Sequence, residues 1–197
     1  MEMIAKDRLN AEDMREMSER LLREHLSLET EGYKMSTSMA LNVLMTAAVE
    51  KRSIEAVCGD LVKVVDSNTL RAALNRALTV GDLRQHEAEF NAGLAACIPS
   101  HMPTTGLEKV IDFHDEPYYG KSEAVQGYTC RGEAHDGTTY FWRIATLYVM
   151  WRQVRLRLAL TYVLPTESTL SILERLLERR ESLGFGCKSP VFGQRLL

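Results

Sequence analysis

The sequence changes its hydrophobic period once, near residue 100, and that change restricts the chain to folds in which helices precede extended strands. Up to Ala96, apolar residues recur at three- and four-residue steps, as in Met14, Met17, Leu21 and Leu22, then Met39, Val43, Leu44 and Ala47. This is the spacing of amphipathic helices. Ile98-Pro-Ser-His-Met-Pro-Thr-Thr-Gly106 then breaks the pattern with two prolines and a glycine, and the break is read as a domain boundary. Beyond it, Glu108–His114, Thr138–Met150 and Arg155–Leu164 have the β-branched and aromatic content of strands, with a less regular extended piece at Tyr128–Ala134. The last two are separated by a short turn. Pro165 ends the extended run, and Thr166–Gly184 is an amphipathic helix with Thr166 or Ser168 as N-cap, late arginines, and Gly184 at its C-terminal end. The predicted class is α+β or α/β, with a helical region over 1–100 and a sheet-bearing region over 107–197.

Composition excludes several alternatives. With 197 residues, 45% hydrophobic and 26% charged, the chain has the make-up of a folded globular protein. Its net charge of −3 gives no global attraction to nucleic acid or anionic membrane, so any DNA contact must be local. The four cysteines form no CxxC pair and read as reduced thiols. The first residues carry charges every few positions, and no run of about 18 apolar residues occurs. A cytoplasmic location without membrane contact is the expectation.

Two short helical segments, Ser53–Leu61 and Asp66–Leu78, suggest a helix-turn-helix over about 53–78. In it Ser67, Asn68, Arg71, Asn75 and Arg76 face a major groove while Leu70, Leu74 and Leu78 hold the core. A plain helical bundle fits the same residues, and the balanced charge of 51–90 favours it.

Chemistry concentrates at Asp112, His114, Asp115 and Glu116. Carboxylates crowded in this way repel one another unless a cation shares the space, so a divalent metal is the natural partner. Asp112 would then leave a buried strand at the sheet rim, and Asp115 would begin a loop. The plainer alternative makes Asp112 a turn cap, Asp115 and Glu116 solvated charges, and His114 a surface imidazole. His114 and His135 lack the further ligands of a zinc site, and no nucleophile elbow or phosphate-cradling loop is present. Tyr140, Phe141, Trp142 and Trp151 suit core packing better than base stacking. Arg152, Arg155 and Arg157, with Arg143 across the hairpin, form a local basic surface able to track phosphates.

Ile111-Asp-Phe-His-Asp-Glu-Pro-Tyr-Tyr-Gly-Lys121, then Arg131-Gly132, Gly137-Thr-Thr-Tyr-Phe-Trp-Arg-Ile-Ala-Thr146, Leu158-Ala-Leu-Thr-Tyr162 and a helix ending in Leu183-Gly184 together resemble a DDE-type insertion-sequence transposase of the branch first known from halophilic archaea. The likeness covers roughly residues 50–185. It implies an RNase H-like core of three antiparallel strands leading through a helix to a fourth, here incomplete. It also implies DNA transposition by metal-dependent strand cleavage and strand transfer, with two aspartates and a glutamate holding Mg2+ or Mn2+. Asp112 matches the first aspartate, and Asp115 is a neighbour with a second, weaker claim on the metal. Partners implied are the terminal repeats of the element, read by the helical region through residues 67–76, with Arg143 contributing; self-association is left open. The other two acids have no counterpart, since no acid follows Glu181. Glu123, Glu133 and Asp136 are the remaining nearby carboxylates. The chain is therefore expected to be truncated and inactive alone. One route is a frameshift: reading the codons of Val191–Leu197 one base downstream permits Cys-Leu-Asp-Arg-Gly-Phe, the kind of motif that is missing. A non-catalytic helical DNA-binding or interaction protein is the competing class.

Overall fold

A computed structural model describes residues 10–186 except 31 and 33, together with the backbone of 191 and 192. The first nine residues and residues 193–197, on which the leader and reading-frame expectations partly rest, lie outside the described residues. The chain separates into two compact units, Met1–Thr79 and Val80–Leu197.

The first unit holds α1 (Ala11–His25), α2 (Thr37–Glu50), α3 (Ile54–Asp60) and α4 (Ser67–Ala77). Each helix starts where a polar side chain satisfies its orphan amides. Asn10 and Asp13 form a reciprocal capping box, and Ser36, Ser53 and Asp66 cap the next three helices. Leu41, Val43, Ala47, Val57, Leu70, Ala73 and Leu74 form the buried core between them. Leu78, expected in this core, is instead 45% exposed, because α4 ends at Ala77 and Leu78 is its C-cap, outside the helix.

The second unit is a five-stranded sheet with helices. Its elements are α5 (Leu83–Ala96), β1 (Glu108–Pro117), a short helix α6 (Glu123–Gln126), β2 (Cys130–His135), β3 (Thr138–Trp151), β4 (Val154–Val163), α7 (Thr169–Ser182) and β5 (Val191–Phe192). β3 is central: β1 pairs antiparallel along one side, and β4 and then β2 pair antiparallel along the other. β5 lies parallel to β1 at Val110 and Ile111, so across the sheet from β4 the order is β4-β3-β1-β5. Two-residue turns join the hairpins. Asp136-Gly137 and Arg152-Gln153 both have positive φ throughout, the backbone that matches the twist of paired strands.

Alternation along the strands makes one face of the sheet the core. Ile111, Ala145, Leu147, Val149, Ala159 and Val163 pack there with Ile172 and Leu176 of α7. The apolar stripe of α7 is thus buried against the sheet. Ser168 caps α7, and Gly184 takes φ 78° just beyond its end, a conformation that favours glycine.

The division of the chain falls at residue 79 and not near 100, because α5 lies along β4. β4 is an edge strand, and edge amides and carbonyls need partners. Asn91 supplies both: its Nδ2 donates to the Leu160 carbonyl at 2.9 Å, and its Oδ1 accepts from the Leu160 amide at 2.8 Å. Glu87 accepts from the Tyr162 amide at 2.8 Å and from the Thr161 hydroxyl at 3.0 Å. Arg84 donates to the Tyr162 carbonyl at 3.0 Å. Residues 87 and 91 share a helix face by their four-residue spacing. Among the described residues no helix is long and apolar enough to cross a membrane.

Candidate functional site

Asp112 stands mid-strand in β1, opposite Thr146 of β3, rather than at the rim of the sheet. Its side chain lines a cavity of about 260 Å³ whose other walls are Thr146, Tyr148, Arg155 and Arg157. The Thr146 hydroxyl donates to the Asp112 backbone carbonyl at 3.4 Å. Arg155 lies with its guanidinium carbon 5.1 Å from the centre of the Tyr148 ring, within cation–π range. The cavity therefore combines one carboxylate, two guanidinium groups, a hydroxyl and an aromatic face, and its formal charge is positive.

Asp115 does not join it. Three positions apart on a strand, Asp112 and Asp115 point to opposite faces. β1 continues to Pro117, so Asp115 belongs to the strand and not to a loop. Its carboxylate is clamped by Arg143, which sits opposite it in the ladder and donates from Nε and from Nη2 at 2.7 Å each. That hydrogen bond is the main reason the Arg143 pKa is raised, with burial acting against it. Two sequence candidates, one for metal and one for DNA, thus engage each other. His114 shares a face with Asp112 but pairs with Glu116 at 2.7 Å. Both are exposed. His135 lies beside Asp136 at 3.2 Å in the β2–β3 turn, its ring stacked 4.2 Å from that of Phe141. Glu133 is exposed on β2 and Glu123 opens α6. Phe141 is buried, as expected for an aromatic in a strand.

Among the described residues no group of three or more His, Cys, Asp or Glu side chains is placed to hold a metal ion. The donor set around Asp112 does not fit a Mg2+ or Mn2+ pair either. Hard divalent cations require several oxygen ligands, and here two guanidinium groups stand where further carboxylates would be needed.

In the first unit, Asn68, Arg71, Asn75 and Arg76 are exposed on α4 and Ser67 is half-buried at its first turn. Arg71 reaches Glu55 of α3 at 3.3 Å. The link between α3 and α4 spans residues 61–66, with Lys63 at φ 64°. Leu61 caps the end of α3 and Asp66 the start of α4, so residues 62–65 lie between the caps, the same four that the two sequence segments leave. Asp66 accepts from the amides of Asn68 and Thr69. The hydroxyl of Thr69, and then its amide, hold that carboxyl below its usual range. The start of α4 therefore carries a negative charge, and Arg71, Asn75 and Arg76 are the polar groups clear of it.

The polar cluster joining α5, β4 and α7 was not among the sequence candidates. Arg175 donates to the Thr161 hydroxyl at 2.7 Å and to Glu167 at 2.7 and 3.1 Å, and Arg84 donates to Glu167 at 2.7 Å. Burial pushes the Glu167 pKa up, but the hydrogen bonds from Arg175 and the Leu164 amide, with the charges of Arg84 and Arg175, outweigh it and leave the group lowered. The only signal in the sequence is the pairing of Glu87 with Asn91 four residues on, in a helix whose remaining pattern is amphipathic. Comparison with protein-family models, with curated proteins and with solved structures finds no match for this chain.

Proposed function

We propose that this chain carries the first half of a DDE-type transposase catalytic fold behind a helical region that contacts DNA, and that on its own it does not cut DNA. The observation that carries the reading is topological. Three antiparallel strands lead through α7 to a strand parallel to β1, in the order β4-β3-β1-β5, with Asp112 mid-strand on β1. An RNase H-like core has this arrangement, with its first metal-binding aspartate on the first strand. The resemblance of the Ile111–Lys121 and Gly137–Thr146 motifs points the same way. Mg2+ or Mn2+ would supply activation of the attacking oxygen in the complete enzyme, but this chain brings only the first of the three carboxylates.

Supercoiled DNA carrying the element ends, incubated with Mg2+ or Mn2+, should stay intact. Nicking that disappears in Asp112→Ala would overturn the claim of inactivity. Binding of the terminal repeats in an electrophoretic shift should weaken about thirtyfold when Arg71 and Arg76 both become alanine, given about 1 kcal/mol for each phosphate or base contact. An unchanged shift removes α4 from the interface.

The two guanidinium groups that share the cavity with Asp112 favour a second reading, a non-catalytic helical DNA-binding or interaction protein. Joining the chain to a segment that supplies the two missing carboxylates separates the two: Mg2+-dependent nicking lost in Asp112→Ala supports the transposase reading, and no nicking supports the second.

A further inference from the structure

We infer that the cavity beside Asp112 is a docking site for the phosphate backbone of a nucleic-acid strand, held by Arg155 and Arg157. Arg155 and Arg157 are two apart on β4, so they project from the same face about 6.7 Å apart along the strand. Both are exposed. Arg155 is braced over the Tyr148 ring at 5.1 Å. Bracing matters because a free arginine loses rotamer entropy on binding, whereas a stacked one is already partly ordered. Among the described residues neither Arg155 nor Arg157 has a carboxylate within salt-bridge distance, in contrast to Arg84, Arg143 and Arg175. The planar guanidinium fork matches phosphate oxygens, and a row of forks matches a polymer of regularly repeated phosphates better than a single anion.

Asp112 is the one opposing charge in this cavity. Its carboxylate weakens phosphate binding there, which predicts the reverse of what a metal ligand would show. Replacing it with the isosteric amide should tighten binding to phosphate.

The inference rests on the proposed reading only for the identity of the strand as DNA, and its test separates the two. Fluorescence anisotropy of the full chain with a short labelled duplex of arbitrary sequence, over a salt series, should show affinity falling steeply with salt. Changing Arg155 and Arg157 together to alanine should flatten the log–log salt slope by about two, since each lost phosphate contact removes about 0.9. Lysine at both positions should keep the slope while lowering affinity. Asp112→Asn should bind the duplex about fivefold tighter at low salt, the effect of one charge about 4 Å away in water. A salt slope unchanged in the alanine pair, weaker binding by Asp112→Asn, or equal binding of polyglutamate in place of the duplex would each overturn the assignment. If the alanine pair fails to fold, the lysine pair and Asp112→Asn carry the test. Dependence on Arg71 and Arg76 at element ends, with no effect of Arg155 and Arg157, sinks this site and leaves the proposed function standing. The opposite outcome removes the α4 interface and keeps the cavity.

Discussion

Arginines on the two flanks of β4 live in opposite circumstances. Along its outer edge, Arg84 and Arg175 meet Glu87, Glu167, Thr161 and the Tyr162 carbonyl, so donors and acceptors are matched within one cluster. At its far end, Arg155 and Arg157 share a cavity with a single carboxylate and a hydroxyl. The same residue type serves architecture in the first place and is left with donors to spare in the second. Satisfied charge fixes a fold, because removing one partner strands the others in a poorly solvated site. Exposed guanidinium groups without a carboxylate partner contribute little to folding and keep their donors for something else.

The comparison breaks most directly at Glu87. Glu87→Ala leaves the Tyr162 amide, the Thr161 hydroxyl and Arg84 short of an acceptor, and should destabilise the second unit by about 3 kcal/mol. Asn91→Ala removes both bonds to Leu160 and should cost about 2 kcal/mol. Urea denaturation followed by tryptophan fluorescence reads both, since Trp142 and Trp151 lie in β3. If either variant is as stable as the parent, the edge clamp is decorative. Asp115→Ala should cost about 1 kcal/mol, less because the pair with Arg143 is only half-buried. Acidification sharpens the contrast. Glu167 is lowered by its partners, so its contribution is fully present above the ordinary glutamate value and is lost as pH falls through the depressed one. The urea midpoint should therefore drop over that acidic range, and Glu167→Gln should flatten the drop. At the cavity end, Arg155→Ala and Arg157→Ala should change stability by less than about 0.5 kcal/mol each. A larger loss there would mean that those arginines are structural after all.

Much of the fold was legible because local signals and global structure agree. Ser53, Asp66 and Ser168 mark helix starts and each does accept the capping bond. β1, β3 and β4 begin and end within three residues of the spans read from the pattern. The opposite facing of Asp112 and Asp115 was also present in the sequence, since an odd spacing on a strand reverses the side chain. Reading Asp115 as the start of a loop hides it, because alternation applies only while the strand continues, here to Pro117. The Asp115–Arg143 pair needed the strand register, which no single segment contains. The allegiance of α5 was hidden for a similar reason. An amphipathic pattern states that a helix buries one face, not which surface covers it, and buried Glu87 and Asn91 look like solvent-facing residues until the edge beside them is known. Leu78 misled through its type: an apolar residue at helical spacing lies past the last turn.

Asn91 has a consequence for synthesis. Chains emerge from the ribosome amino end first, and α5 precedes β4 by more than fifty residues. The amide that will cover Leu160 is thus outside the exit tunnel before the strand it covers exists, so the newborn edge need never wait, bare, for a second nascent chain to add to it.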